Sequence, residues 1–372
     1  MGRDVRDVVV EQICPALPPR TREAVKALPG EVRQSLTEIR LRRGRPVMGV
    51  MPEGDFYLSS DGQPLWPGSG GAASSTELAA SAVMCTEDEW DIAMRLVTEC
   101  SIYALERELA AGYITLRGGH RVGLVGRAVL EGDRIRTQRE LSAANYRVAR
   151  QIIGVADKVM PYVLRRPGGG ACSQNRATGS LSGHSIFSVL ILSGPGHGKT
   201  TLLRDIARQL SYGSYGPGLK VAIVDERSEI AACCDGVPGL DLGPRADVID
   251  SCPKAQGIMI MTRSMSPDVI VTDEIGHAAD SEAIEEAQRC GVAVIATAHA
   301  SEYEDARKRP ALRDTLARGG FERLVVLTSR LGVGTCERII HLATGGDLVG
   351  APFVLTPEAR KGHGGGVRCV ER

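Results

Sequence analysis

The sequence predicts an α/β protein, a mostly parallel sheet with helices on both faces, preceded by a smaller α+β unit. Three observations predict it. From Phe187 onward, short β-branched runs at 188–192, 220–224, 268–272, 292–297 and 323–328 alternate with helical stretches such as 201–210 and 280–290. That alternation is the pattern of parallel strands joined by crossover helices. Before Pro167 the chain reads instead as strands and turns with a few helices, and between the two lies a stretch, 167–183, rich in Gly, Ser and Asn with few large apolar residues. The expected organisation is an α+β domain at 1–165, a Gly/Ser-rich loop or linker at 166–186, an α/β domain at 187–350 and a flexible tail at 351–372.

In the first domain, Thr37-Glu38-Ile39-Arg40-Leu41-Arg42 alternates apolar and polar residues, as a half-buried strand does. Thr86 followed by Glu89 has the spacing of a capping box, and Trp90, Ala93, Met94 and Val97 then recur at helical spacing. Tyr113-Ile114-Thr115-Leu116, a Gly118-Gly119 turn, an apolar run at 121–129 and a second turn at Glu131-Gly132-Asp133 read as a hairpin or meander.

Composition bounds the function. A chain of 372 residues suggests two domains, and with 43% hydrophobic and 24% charged residues it is no wholly disordered protein. Lys plus Arg number 45 and Asp plus Glu 45, so the net charge is zero, which weakens any role in coating nucleic acid or an anionic membrane. Ten cysteines are spread without C-x-x-C or zinc-ligand spacing, the pattern of buried thiols in a reducing compartment. The longest apolar runs, at 189–192 and 292–298, fall far short of the ~18 residues of a spanning helix. The N-terminal segment mixes charges without an apolar stretch, so no signal peptide is expected, and Arg6 stands where a myristoylation signal needs Ser or Thr. A soluble, cytosolic chain is the expectation.

The strongest motif is Ser193-Gly194-Pro195-Gly196-His197-Gly198-Lys199-Thr200, which follows an apolar strand and opens an amphipathic helix through Leu202, Leu203, Ile206 and Leu210. Glycines let backbone N–H groups turn inward around phosphate oxygens, and the helix N-terminus adds a favourable dipole. Lys199 can reach the β- and γ-phosphates of ATP, and the Thr200 hydroxyl can ligate Mg²⁺. Gly194, Pro195, Gly196, His197, Gly198, Lys199, Thr200 and Thr201 are therefore the expected nucleotide-binding residues. One departure stands out: the pattern begins with Gly, and here Ser193 takes that place.

Such a loop needs a magnesium-holding carboxylate on a neighbouring strand, and Asp268-Val269-Ile270-Val271-Thr272-Asp273-Glu274 supplies one. Asp273 would hold the hydration shell of Mg²⁺, and Glu274 would polarise the attacking water as general base. Two further strand ends point to the same place. Lys220-Val221-Ala222-Ile223-Val224 ends in a second acidic pair, Asp225-Glu226, and the run from Val292 ends in Thr297-Ala298-His299, where His299 could sense the γ-phosphate. Ligands of doubly wound sheets sit beyond the carboxyl ends of the strands. Glu226 and Glu274 both have a claim to be the base.

With these residues in hand, the chain resembles the stage III sporulation protein AA family, RecA-like secretion-type AAA+ ATPases of endospore-forming bacteria. The resemblance lies in Val221-Ala222-Ile223-Val224-Asp225-Glu226-Arg227-Ser228-Glu229-Ile230-Ala231, in Asp241-Leu242-Gly243-Pro244-Arg245-Ala246-Asp247-Val248, in Cys252-Pro253-Lys254-Ala255-Gln256-Gly257 and in Arg263-Ser264-Met265-Ser266-Pro267-Asp268. Glu38-Ile39-Arg40-Leu41-Arg42, Gly112-Tyr113-Ile114-Thr115-Leu116 and Gly118-Gly119-His120-Arg121-Val122-Gly123-Leu124 carry it into the first domain. It spans at least 38–340, leaving 167–183 as an insertion and the tail beyond about 350.

The resemblance implies a RecA-like P-loop core in a ring-forming ATPase, a hexamer related to type II and type IV secretion motors. The family's Asp box falls on Asp225 and Glu226 and its His box on His299. The first domain would clamp the nucleotide, with arginines reaching the phosphates: Arg147 and Arg150 by position, or Arg227, Arg245 and Arg263 within the motor. It further implies a cytoplasmic protein docking on membrane proteins of the sporulation channel at the forespore. Rival readings remain open. A RecA-like nucleic-acid motor finds little for base stacking in 4 Phe, 8 Tyr and 2 Trp, although Arg40, Arg42, Arg43 and Arg45 cluster. A small-molecule kinase is disfavoured by Glu274 and His299, and a non-hydrolysing nucleotide switch is the third alternative.

Overall fold

The computed structural model describes residues 7–67, 81–98, 106–165, 186–234 and 236–356. The chain divides into two compact units, Met1–Arg150 with Ala232–Leu240, and Gln151–Ala231 with Asp241–Arg372. The division falls at 150 rather than at the expected 165 because the intervening stretch is tied to the second unit. The buried Asp205 carboxylate accepts the N–H groups of Gly154 and Ala156, both at 2.9 Å. The expected linker at 166–186 lies outside the described residues except for Ile186, which bridges to Leu164.

The first unit is a seven-stranded antiparallel sheet. Its strands are β1 (Glu38–Arg42), β2 (Met48–Met51), β3 (Gly54–Leu58), β4 (Pro64–Leu65), β5 (Tyr113–Leu116), β6 (His120–Glu131) and β7 (Arg134–Arg147), in the order β4-β3-β2-β1-β7-β6-β5. Helices α1 (Pro19–Ala27), α2 (Gly30–Ser35), α3 (Glu87–Val97) and α4 (Glu106–Ala111) complete it. β1 alternates as predicted, with Ile39 and Leu41 buried in a core that includes Phe56, Trp90 and Tyr146. Thr86 caps α3 by accepting the Glu89 N–H, but the second half of the expected capping box is absent. The Glu89 carboxylate turns instead to the N–H groups of Arg20 and Thr21 in the first turn of α1, which have no helical partner of their own. One acid thus ties two helices together.

The second unit carries α5 (Met160–Val163), β8 (Val189–Ser193), α6 (Lys199–Tyr212), β9 (Val221–Asp225), β10 (Ala246–Asp250), α7 (Lys254–Met265), β11 (Val269–Thr272), α8 (Ala278–Arg289), β12 (Ala293–His299), α9 (Tyr303–Lys308), α10 (Pro310–Ala317), β13 (Arg323–Thr328), β14 (Thr335–His341), β15 (Gly346–Asp347) and β16 (Phe353–Val354). The order is β10-β9-β11-β12-β8-β13-β14-β15. β10 through β13 in that order run parallel, and β14 follows antiparallel, with the short β15 and β16 paired to its far side. Alternate strand residues such as Leu190, Val224 and Ile270 pack with Ile258 and Ile284 of α7 and α8. Their neighbours Ile191, Ile223 and Val271 are equally buried, as strands covered on both faces must be. This is the mostly parallel sheet, covered on both faces, that the alternation of strands and helices predicts.

Two corrections follow from backbone pairing. Residues 351–356 are not a free tail: Phe353–Val354 pair with Thr335 and Cys336 of β14, and the Leu355 N–H donates to the Gly334 carbonyl at 2.8 Å. β10 and α7 went unrecognised in the sequence because neither carries strong periodicity. β10 is only half-buried along its length.

Candidate functional site

Parallel pairing brings the ends of β8, β9, β11 and β12 to one edge of the sheet, and the phosphate loop leaves from β8 there. Gly196 and Gly198 have φ of +75° and +88°, left-handed conformations that a side chain would strain. Gly198 is the N-cap of α6, and Lys199, Thr200 and Thr201 form its first turn. Gly194 faces the His197 ring, and Pro195 is exposed at the crest.

Lys199 is buried, its ammonium donating to the Gly194 carbonyl at 3.0 Å, the Ser193 carbonyl at 3.2 Å and Ser193 Oγ at 3.3 Å. Ser193, the departure from the motif, therefore has a local role: as the last residue of β8 it is fully buried and helps hold the lysine. Burial draws the Lys199 pKa below its ordinary value, and the nearby Glu274 and Glu229 partly restore it.

The fourth partner of Lys199 is His299 Nδ1 at 3.2 Å. An ammonium only donates, so Nδ1 accepts and the ring proton sits on Nε2. Nε2 in turn lies 2.7 Å from Glu274 Oε1 and donates to it. The other Glu274 oxygen, Oε2, accepts from Arg227 Nη1 at 3.2 Å. A continuous path Lys199–His299–Glu274–Arg227 thus joins the phosphate loop, the end of β12, the end of β11 and the loop after β9. Glu274 sits at φ +22°, strained for a residue with a side chain. Its N–H bonds to Thr297 Oγ1 at 2.9 Å, and the following Ile275 N–H bonds to the Thr297 carbonyl at 2.9 Å. β12 therefore clamps the strained turn from below.

Asp273 is buried beside this path. It pairs with Lys254 at 3.1 Å, and the same ammonium reaches Glu226 Oε2 at 2.6 Å. Burial pushes the Asp273 carboxyl upward, and Lys254 pulls it back. Lys254 had no assigned role in the sequence reading. The available signal was a lysine directly after Pro253 at the start of a helix, where a cation opposes the dipole and needs an acidic partner. Asp225 does something else: its carboxylate accepts the N–H groups of Glu229, Ile230 and Ala231 at 2.8, 2.9 and 2.8 Å and is fully buried. Arg204 braces the same loop through the Glu229 and Ile230 carbonyls.

The candidate arginines are sorted by the same geometry. Arg227 meets Glu274. Arg245 spends its guanidinium and its N–H on Ser211 at the far end of α6. Arg150 caps the Leu36 and Arg33 carbonyls of the first unit, and Arg147 pairs with Glu38 there. Arg263 is exposed nine residues after Lys254, about 13 Å along α7 at the helical rise, in a groove with Arg289 and Arg318. It does not join Lys199, Glu274 and His299.

Comparison with known proteins places the chain. The family model described as "Sporulation stage III, protein AA" matches residues 11–344. Stage III sporulation protein AA of Bacillus subtilis (strain 168) is 38% identical over 331 residues, covering 89% of this chain and 94% of that protein. Among solved structures, the Legionella pneumophila ATPase DotB aligns over 82% of this chain and 74% of its own, with 16% identity and a TM-score of 0.46. The pilus retraction motor PilT with bound ADP aligns over 80% and 75%, with 15% identity and a TM-score of 0.49. On the family match and the B. subtilis relative, the chain belongs to the stage III sporulation protein AA family.

Proposed function

We propose that the chain is a Mg²⁺-dependent ATP hydrolase acting in sporulation as a ring-forming, secretion-type motor. The observation that carries this reading is the hydrogen-bonded path from Lys199 through His299 to Glu274. The Lys199 ammonium and the Glu274 carboxylate lie on either side of one imidazole at the carboxyl edge of a parallel sheet, which supports reading them as a phosphate-binding cation and a base. In this reading Lys199 leaves its loop carbonyls for the β- and γ-phosphates, and the loop N–H groups bind phosphate oxygens. Glu274 takes a proton from the attacking water, which requires His299 or Arg227 to release one of its two oxygens. His299 then reports phosphate occupancy to the base.

The residues present fit Mg²⁺. Thr200 and Asp273 offer oxygen donors, one hydroxyl and one carboxylate, which suits a hard cation that keeps most of its waters. Bound there, it would neutralise phosphate charge. Glu226, with its carboxylate committed to Lys254, is the weaker claimant for the base.

Three arginines of the motor or its neighbour are spent on backbone carbonyls or remote surface, which supports arginines supplied by a neighbouring copy in a hexamer. Family membership supports action at the forespore with membrane proteins of the sporulation channel. Among the described residues no helix is long and apolar enough to cross a membrane. The test is ATP turnover measured with and without single-stranded DNA, and across a hundredfold dilution with light scattering for mass. Turnover that is indifferent to DNA and falls per mole on dilution, as the mass falls, is expected. Constant turnover at monomeric mass overturns the ring, and stimulation by DNA favours the nucleic-acid motor.

A further inference from the structure

We propose that the turn joining β13 to β14, residues 329–334, is an aliphatic clamp for the purine base of the nucleotide. This deepens the nucleotide reading of residues 193–200 and rests on it. Sheet order gives the direction. β8 lies between β12 and β13, and His299 and Glu274 both belong to the β12–β11 side. A nucleotide whose terminal phosphate meets Lys199, His299 and Glu274 therefore extends across the end of β8 toward β13, away from the acids.

On that side the turn abuts the phosphate loop: a Cβ placed on Gly198 would lie 3.8 Å from the Gly334 Cα. The turn is braced. Thr335 Oγ1 accepts the Leu331 N–H at 3.1 Å and donates to the Gly332 carbonyl at 2.7 Å, and Arg330 is held on Glu337 at 3.0 Å. β16 secures it from behind through the Leu355–Gly334 bond. Yet this fixed turn presents two branched aliphatic side chains to solvent, Leu331 at 54% and Val333 at 68% exposure. Exposed apolar groups on a rigid support beside a phosphate site suit the flat face of a base, and a purine covers more of them than a pyrimidine.

The experiment compares the full chain with L331S/V333S and with Val333→Phe, reading affinity for ATP, CTP and inorganic triphosphate by calorimetry. Both side chains are more than half exposed, so thermal melting should show all three proteins folded alike. Wild type should bind ATP more tightly than CTP or triphosphate. Losing the two aliphatic groups should weaken ATP about tenfold and leave triphosphate unchanged, while Val333→Phe should tighten ATP by adding stacking surface. Equal ATP affinity in wild type and L331S/V333S overturns the clamp, and a change of mass alone marks the turn as a contact between copies instead. If wild type binds triphosphate as tightly as ATP, the clamp alone fails. If it binds neither, the phosphate-loop reading fails first.

Discussion

Two strand ends in the second unit carry the same dipeptide, Asp-Glu, and meet different partners. At the end of β9, Asp225 is fully buried and spends both oxygens on three backbone N–H groups, while Glu226 leans out to Lys254. At the end of β11, Asp273 meets the other side of Lys254, and Glu274 turns inward at positive φ to meet His299. One pair organises a loop, and the other meets His299 and through it Lys199. The difference lies in the neighbours. β11 is flanked by β12, whose Thr297 and His299 hold Glu274, whereas β9 is flanked by β10, which offers Asp250 at the matching register position.

Breaking the two pairs separately tests that contrast. The largest effect is expected at the lysine joined to Glu274 through His299: Lys199→Ala should abolish ATP turnover, since phosphate charge is left uncompensated, and nucleotide binding by calorimetry checks it. Unchanged affinity and rate would remove the phosphate loop from the argument for function. Next, Glu274→Gln should keep ATP bound and slow hydrolysis by about 10²–10⁴-fold, the scale of a lost general base. Single-turnover assays would read it.

Asp225 should show itself in stability instead. Burial pushes its carboxyl up to about 6 from 3.8, against the pull of its N–H partners. Between those values the folded chain holds more protons than the unfolded one, so its contribution falls as pH rises from about 4 to 6, by about 3 kcal/mol in all. Asp225→Asn should flatten that part of the pH profile in urea unfolding, and should lower stability at every pH because one N–H acceptor is lost. The smallest effect is expected for Glu226→Gln: less than about threefold in turnover, because an amide can still accept from Lys254 and a half-exposed ion pair contributes little. A large loss at Glu226 with almost none at Glu274 would exchange the two roles.

A similar contrast appears in the first unit. There, His120 is buried, accepts the Ala149 N–H through Nδ1 and meets Gln12 through Nε2, and burial draws its pKa down to about 4. The unfolded chain then binds the extra proton between pH 6.5 and 4, so acidification through that window should destabilise this unit by about 3 kcal/mol. His120→Gln should remove that slope, as followed by urea midpoints. The two buried groups slope in opposite directions over nearly the same pH window, so their contributions offset one another in the unsubstituted chain and the two single variants are needed to separate them.

Much of this site was legible. The run 193–200, the acids at 273 and 274 and the histidine at 299 could each be placed at strand ends from β-branched runs alone, and the strands of the second unit lie within two residues of expectation. Lys254 was not legible as a partner, because its two acids lie 28 and 19 residues away in sequence and meet it only through parallel pairing. Nor did a capping-box spacing reveal that Glu89 would serve α1, since the competing N–H groups of Arg20 and Thr21 lie 69 and 68 residues upstream.

By itself, the sequence determined the class of fold, the glycine-rich turn between β8 and α6 and which residue types stand beside it, because periodicity and glycine placement are local properties of the chain. Only the tertiary structure decided which acid is a loop organiser and which a candidate base, which arginines are already spent on carbonyls, and that Ser193 supports Lys199. Those outcomes depend on strand order and burial. They arise when segments far apart in sequence compete for the same buried hydrogen bonds, and a competition of that kind is settled only once the sheet has formed.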